Sequence, residues 1–220
     1  PIRETGLILL TSGSTGTPKR VPLRTEQLHQ SSGRIARALK LSATDRAVHA
    51  VPMFHIGAIV DLLLAPLSAG SAVHFAGGMG AAPLQSAVTE FGGTWLQLVP
   101  TMLARMQADL SAEQGAQIGK QLRFIRSVSS DLAPSVQRKA EAFFADTPII
   151  QMYGMTETAG QITTNPLPPE QRKLGSVGKA IEVELRIKDD EIQVRGDAVT
   201  AGYENTEQDA QHSGDGWLKT

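Results

Sequence analysis

Short apolar runs alternate with longer amphipathic stretches from residue 6 to residue 152 of the chain. Each run spans four to six residues and is bounded by turn residues or by proline, a pattern typical of a buried strand. The pattern predicts six such strands, at residues 6–10, 47–51, 72–75, 94–99, 124–128 and 148–152. Helices are predicted between them, the first beginning at Thr25 and carrying Leu28, Ile35 and Leu39 on its apolar side.

This alternation of strands and helices favours parallel pairing, because each crossover is long enough to return the chain to the same end of the sheet. The predicted fold class is therefore α/β, with a doubly wound and mostly parallel sheet at its core. In such sheets ligands bind outside the carboxyl ends of the strands, so we expect functional residues directly after strands.

The pattern changes after Gly154, where helical periodicity fades and short alternating runs follow. Residues 183–188 and 192–194 are two such runs, joined by the turn residues Asp189 and Asp190, and they predict a hairpin-rich β region. We interpret residues 1–158 as an α/β core and residues 159–220 as a β-rich region of the same large domain.

Composition narrows the class of protein. A hydrophobic fraction of 41% and a charged fraction of 20% are typical of a globular protein with a core. The formal net charge of −1 gives no electrostatic basis for binding nucleic acid or an anionic membrane. No apolar run approaches about 18 residues, so no membrane span is predicted. The absence of cysteine excludes disulfides and thiolate metal sites, and we expect a cytoplasmic protein.

The first predicted strand is followed by a loop rich in hydroxyl groups and glycine, here called the hydroxyl loop. It consists of Thr11, Ser12, Gly13, Ser14, Thr15, Gly16 and Thr17, followed by Pro18 and Lys19. Glycines let backbone N–H groups approach a ligand, hydroxyls add donors, and a lysine supplies a point charge for polyphosphate. The spacing excludes a Walker P-loop, which needs adjacent glycine and lysine. An ordinary turn between two strands is the alternative interpretation.

A second polar cluster directly follows the sixth predicted strand. It is formed by Gln151, Tyr153, Gly154, Met155, Thr156 and Glu157. Tyr153 can stack on a purine, the Thr156 hydroxyl can donate to a phosphate oxygen, and the Glu157 carboxylate can hold magnesium. The competing interpretation is a strand end with a core tyrosine and a solvated glutamate.

Together the two motifs resemble the signatures of the adenylate-forming enzymes, the family of acyl-CoA synthetases, peptide-synthetase adenylation domains and luciferases. The resemblance rests on T-S-G-S-T-G-T-P-K at residues 11–19 and Y-G-M-T-E at residues 153–157, in the order and spacing of that family. It implies that the hydroxyl loop and Lys19 cover the β- and γ-phosphates of ATP. It also implies that Thr156 contacts the α-phosphate and that Glu157 places magnesium.

A third stretch agrees with this resemblance. Ser129, Ser130 and Asp131 lie where the family has a loop of small residues against adenine, which Tyr153 would also contact. Residues 1–158 are thus expected to be the nucleotide-binding core. The sequence G-S-V-G-K at residues 175–179 looks like one of the family's later β-region motifs.

The sequence P-M-F-H at residues 52–55 resembles the acyl-CoA synthetase branch, where the histidine lies near the acyl carboxylate and the thiol tunnel. His55 is therefore a candidate catalytic residue, whereas the other histidines and Asp61 are interpreted as structural.

Some resemblance to oxalyl-CoA synthetase-like members is also present, at residues 122–127 and 164–169. Those members carry further histidines where this chain has Gly57 with Ala58 and, after the Thr-Glu pair, Gly160. A dianionic acid needs paired donors or cations, and these positions supply none, so the acid is left unnamed.

The resemblance implies an ATP-dependent carboxylic acid–CoA ligase, which forms an acyl-adenylate and then a thioester. The candidate catalytic residues are Lys19, Thr156, Glu157 and His55, and the expected cofactors are ATP, magnesium and coenzyme A. Two alternatives stay open: an adenylation domain that loads an acid onto a carrier protein, and a non-catalytic nucleotide-binding module. The family has a ribose-binding aspartate and a C-terminal lid domain beyond the position of Thr220. We therefore expect residues 1–220 to be an incomplete, inactive portion of the large N-terminal domain.

Overall fold

The computed structural model describes residues 5–11, 18–204 and 215–220. The predictions made for Ser12, Gly13, Ser14, Thr15, Gly16 and Thr17 lie outside the described residues.

The strands, in chain order, are β1 (Thr5–Thr11), β2 (Lys19–Arg24), β3 (Arg46–His49), β4 (Ala72–Phe75), β5 (Trp95–Leu98), β6 (Phe124–Ser127), β7 (Ile149–Met155), β8 (Gly160–Thr164), β9 (Lys179–Ala180), β10 (Glu184–Lys188), β11 (Glu191–Arg195) and β12 (Leu218–Lys219). The helices are α1 (Thr25–Ala38), α2 (Ile56–Ile59), α3 (Ala65–Ser68), α4 (Ala81–Thr89), α5 (Pro100–Asp109), α6 (Ala112–Gly119) and α7 (Pro134–Phe143). A π-helical turn (Val60–Leu64) joins α2 to α3, and a 3₁₀ turn (Thr156–Thr158) follows β7.

A mixed seven-stranded sheet runs in the order β4-β3-β5-β6-β7-β8-β9. Its first five strands are parallel, whereas β8 and β9 join antiparallel. The chain moves from β3 to β4 on one side and then crosses to β5, so the direction of winding reverses between β3 and β5. The predicted α/β class with a doubly wound, mostly parallel sheet is confirmed.

The parallel strands sort consecutive apolar residues onto opposite faces of the sheet, since side chains alternate along a strand. One face packs against β2, α1 and the segment from α2 to α3, and its strand residues are Ala47, Trp95, Phe124 and Ile150. The other face packs against α4, α5, α6 and α7, and its strand residues are Val48, Leu96, Leu98, Ile125 and Ile149. Both faces are covered, which is why these strands are apolar runs without polar alternation.

The prediction that residues 6–10 form a buried strand of the main sheet is wrong. The strand exists, but β1 pairs antiparallel with β2 in a separate two-stranded sheet. One face of β1 is open, as Ile8 is 39% and Leu10 is 65% exposed. The sequence did not indicate β2 because Pro22 interrupts its core, although proline is compatible with a strand at the edge of a sheet.

The strand β8 was also not predicted, because most of its residues are polar even though all five are buried. It begins at Gly160 and pairs with β7, with Met152 opposite Thr164. The strands β10 and β11 form the expected hairpin, and Asp189 and Asp190 both have positive φ angles at its turn. The division of the chain at residue 158 stays a prediction.

Among the helices that the structure describes, none combines the length and the apolar character that crossing a bilayer would require.

The contact between α6 and the end of α7 leaves no room for a side chain at Gly119. A Cβ there would stand 1.8 Å from the backbone carbonyl oxygen of Phe144. Gly119→Ala should therefore lower the free energy of unfolding by about 1–3 kcal/mol, because the backbone must shift to admit the methyl group. Urea denaturation measures this, with Gly77→Ala as control, since a Cβ at Gly77 meets no atom within 4 Å. Equal losses in the two variants would contradict the contact.

Candidate functional site

The predicted cluster at residues 151–157 lies where the chain leaves β7 and reverses into β8. Tyr153, Met155 and Thr156 are half-buried at this strand end, and Ala159 reverses the chain with a φ angle of 52°. Gly154 is required here, because a Cβ would stand 2.2 Å from the carbonyl oxygen of Gly160. The sharp reversal keeps the backbone of β7 close to β8 and presents the Thr156–Thr158 turn at the carboxyl edge of the sheet.

The carboxylate of Glu157 is held in place by a distant segment of the chain. Glu157 is only 6% exposed, and its Oε1 accepts a hydrogen bond of 2.9 Å from the hydroxyl of Tyr203. The backbone N–H of Thr200 donates to the Glu157 carbonyl oxygen at 2.7 Å. The interpretation of Glu157 as a freely solvated glutamate is therefore wrong.

Lys19 and Glu157 both contact the side chain of Tyr203. The Nζ of Lys19 lies 4.7 Å from the centre of the Tyr203 ring, a cation–π contact, while the Tyr203 hydroxyl points to Glu157. Lys19 is the first residue of β2 and pairs with Thr11, the last residue of β1. The structure thus brings the two ends of the hydroxyl loop and the end of β7 to a common place.

The described residues fit a magnesium ion that arrives with a nucleotide. No group of three or more His, Cys, Asp or Glu side chains within residues 5–11, 18–204 and 215–220 could form a protein cage for a metal. Magnesium is commonly bound by one or two carboxylates together with water and substrate phosphates. A single ordered carboxylate at Glu157 matches that mode of binding.

The loop after β6 leaves the sheet at the same edge. The strands β6 and β7 are parallel neighbours, with Ser127 opposite Gln151, so the segments that follow them emerge side by side. Ser129, Ser130 and Asp131 are exposed there, and Ser129 has a φ angle of 71°.

Gln151 is buried beneath this edge, and its Nε2 donates to the Oε1 of Gln137 in α7 at 2.8 Å. Gln137 in turn donates to the carbonyl oxygen of Ile149 at 2.9 Å. The structure therefore places the Gln151 side chain in the packing between β7 and α7.

His55 is exposed and directly precedes α2, with its ring 4.5 Å from that of Phe54. The element that carries it is fixed by His49, whose Nε2 donates to the carbonyl oxygen of Ala58 at 3.0 Å. Burial lowers the pKa of His49, which favours the neutral imidazole. The structural interpretation of His49 agrees with that contact.

A buried ion pair lies beneath the same edge of the sheet. Arg126, in β6, is 0% exposed and Asp61, in the π-helical turn, is 2% exposed, and Arg126 Nη1 lies 3.2 Å from Asp61 Oδ2. Nη1 also donates to the Oε1 of Gln97 at 2.7 Å, and Nη2 donates to the Oε1 of Gln161 at 2.5 Å. Burial raises the pKa of Asp61, while the charge of Arg126 acts in the opposite direction. We refer to Asp61, Gln97, Arg126 and Gln161 as the buried network.

The network has unused hydrogen-bonding capacity. Asp61 Oδ1, Arg126 Nε and Gln161 Nε2 are buried and have no hydrogen-bond partner among the described residues. The sequence predicted a structural role for Asp61 and indicated no role for Arg126. The available signal was an acidic and a basic residue, each placed in an otherwise apolar element, because such charges are buried only when they are paired.

The surface cavities lie elsewhere. One of about 760 Å³ is lined by residues of α1, β10 and β11 and by the residues beside these two strands, including Arg34, Glu182 and Asp197. Another of about 770 Å³ is lined by the end of α1 and the segment after β8, including Asn165 and Lys173. Neither of these two cavities is lined by Tyr153 or Glu157.

The chain matches the model of the AMP-binding enzyme family over residues 3–204. It belongs to the AMP-binding enzymes. Relatives within this family include the sulfoacetate–CoA ligase of Cupriavidus necator, 34% identical over 97% of this chain and 44% of the relative. The oxalate–CoA ligase of Saccharomyces cerevisiae is 35% identical over 92% of this chain and 38% of the relative. These names support the resemblance to the acyl-CoA synthetase branch and to its oxalyl-CoA synthetase-like members.

The fold of this AMP-binding enzyme is also found in solved structures. ATP-bound MatB from Rhodopseudomonas palustris aligns with a TM-score of 0.88 and 26% identity, over 98% of this chain and 44% of that chain. The chain thus spans less than half the length of the relatives and of the structure that it matches. The ligand roles assigned to individual residues remain proposals.

Single and double substitutions in the buried network should have different effects on the free energy of unfolding. Asp61→Leu leaves the Arg126 cation buried without its counter-ion and should lower the free energy of unfolding by about 3–5 kcal/mol. Adding Arg126→Met removes the unpaired charge and should recover most of that loss. Denaturant unfolding of both variants measures the difference. A double variant no more stable than Asp61→Leu would show that the charge of Arg126 is not the cause.

Proposed function

We propose that the protein containing this chain is an ATP-dependent carboxylic acid–CoA ligase that forms an acyl-adenylate and releases pyrophosphate. The observation that carries the proposal is the joint positioning of Lys19 and Glu157 by Tyr203. A cation and a buried carboxylate thus contact one tyrosine at the carboxyl edge of a doubly wound sheet, where ligands bind in such folds. Membership of the AMP-binding family and relatives named as CoA ligases support it.

In the first step an oxygen of the acid attacks the α-phosphorus of ATP, and the bond to the bridging oxygen of pyrophosphate breaks. Lys19 and the hydroxyl loop would neutralise the departing β- and γ-phosphates, and the Thr156 hydroxyl would donate to the α-phosphate. Magnesium, when bound at Glu157, would supply further positive charge for the leaving group. Little covalent chemistry falls to the protein, so catalysis would depend on positioning and electrostatic stabilisation.

Adenine would lie against the exposed loop of Ser129, Ser130 and Asp131, with the half-buried ring of Tyr153 beside it. In the second step the sulfur of CoA attacks the acyl carbon and AMP leaves. His55 is exposed on the segment between β3 and α2, where it could contact the acid or the thiol. The expected partners are a small carboxylic acid, CoA and a C-terminal domain in cis, and the expected compartment is the cytoplasm.

The direct test is carboxylate-dependent ATP–pyrophosphate exchange by the full-length protein, with a panel of carboxylic acids. Exchange followed by transfer to CoA supports the ligase. Exchange followed by transfer only to a phosphopantetheinyl carrier protein supports the adenylation-domain alternative. ATP binding with no exchange for any acid supports the non-catalytic module.

Glu157→Gln should damage adenylation more than nucleotide binding. The variant keeps the shape of the side chain and can still accept from Tyr203, but it lacks the charge that places magnesium. We expect a loss of about 2–4 kcal/mol in transition-state stabilisation, measured as the exchange rate of the full-length enzyme at saturating magnesium.

The matched control is Glu113→Gln, an exposed glutamate in the first turn of α6. It should leave exchange unchanged. An exchange rate for Glu157→Gln within about threefold of wild type would remove Glu157 from the proposed metal role.

A further inference from the structure

Asp61 lies between the two elements that the proposed reaction must bring together. A Cβ at Gly57, two residues after His55, would stand 3.3 Å from Asp61 Oδ2. A Cβ at Gly160, two residues after the Thr156–Thr158 turn, would stand 3.4 Å from Asp61 Oδ1. The two oxygens of one buried carboxylate therefore face the backbone of both elements.

The other members of the buried network come from three strands of the sheet. Arg126 and Gln97 belong to the neighbouring parallel strands β6 and β5, and each lies one residue before the end of its strand. Gln161 comes from β8, directly after Gly160. The buried network thus lies beneath the carboxyl edge of the sheet, between His55 and the turn that carries Thr156.

The buried network has no net charge while Asp61 and Arg126 are both ionised. A second anionic group on a bound acid would need an unpaired cation or converging donors to replace its water. The guanidinium of Arg126 instead has both terminal nitrogens engaged, Nη1 with Asp61 and Gln97 and Nη2 with Gln161. The unused atoms are one acceptor on Asp61 and donors on Arg126 and Gln161, a set that complements a neutral polar group.

We propose that Asp61 is a specificity-determining residue, which neutralises Arg126 and so fits the site to monocarboxylic acids whose distal group is neutral and polar. This inference rests on the proposed ligase function and adds the class of acid. In this role Asp61 disfavours acids that carry a second anionic group. Discrimination between similar ligands commonly depends on such a repulsive element. Two relatives of the chain are named as ligases for sulfoacetate and oxalate, acids that carry a second anionic group.

The test compares acids that differ only in distal charge. Each dicarboxylic acid of two to six carbons is paired with its monoamide, for example succinate with succinamate. The readout is kcat/KM for pyrophosphate exchange by the full-length enzyme. We expect wild type to favour the monoamide by at least about tenfold at every chain length that supports exchange.

Substitution should then move the preference in a defined order. Asp61→Asn keeps the side-chain shape but leaves Arg126 unneutralised, and it should shift the ratio toward the dicarboxylate by at least about tenfold. Asp61→Asn combined with Arg126→Gln removes both charges and should restore the monoamide preference. A merely structural role would lower kcat/KM for both acids of a pair equally and leave their ratio unchanged.

Several outcomes overturn the inference. A wild-type enzyme that prefers the dicarboxylate contradicts it, and this comparison stands even where Asp61→Asn does not fold. An unchanged ratio in a folded Asp61→Asn enzyme also contradicts it. So does exchange with neither acid of any pair by an enzyme that accepts other acids. Absence of exchange with every acid is a different result, because the ligase function itself then fails and the role of Asp61 fails with it.

Discussion

The buried cation of Arg126 must be neutralised, and the residues that contact it come from several parts of the fold. Arg126 lies fully buried in the sheet, and leaving its charge unpaired there would cost about 3–5 kcal/mol, a large share of the stability of a typical domain. Its partners come from β5, β8 and the π-helical turn, so sheet and crossover are held in one arrangement. Because β8 begins just after the Thr156–Thr158 turn, the hydrogen bond from Arg126 to Gln161 also fixes the path of the chain below the proposed nucleotide site.

A second set of contacts lies at the edge of the sheet. Tyr203 contacts Lys19 with its ring and Glu157 with its hydroxyl, while Thr200 donates from its side chain to the carbonyl oxygen of Pro22. The β1–β2 hairpin, which is not part of the main sheet, is therefore bound to the end of β7 by the segment before residue 204. These contacts hold Lys19, at the start of β2, near the end of β7.

Much of the fold was predictable because apolar runs report burial directly. The strands β3, β4, β5, β6 and β7 are covered on both faces and stand out in the sequence. The strand β8 does not, because its polar residues are buried through hydrogen bonds that only the tertiary structure reveals. The same holds for the site: the motifs at residues 11–19 and 153–157 were visible, whereas the pairing of Asp61 with Arg126 joins residues far apart in sequence. No local pattern records such a pair.

The central claim is that Lys19, Glu157 and the loop after β6 hold one nucleotide. A crystal structure of the full-length protein with magnesium and a non-hydrolysable ATP analogue tests it most directly. We expect magnesium bound to the Glu157 carboxylate directly or through one water, Lys19 on the β- or γ-phosphate, and adenine against Ser129 to Asp131. A nucleotide bound in the cavity between α1 and β10, or at the sheet edge with its phosphates away from Lys19 and Glu157, would contradict it.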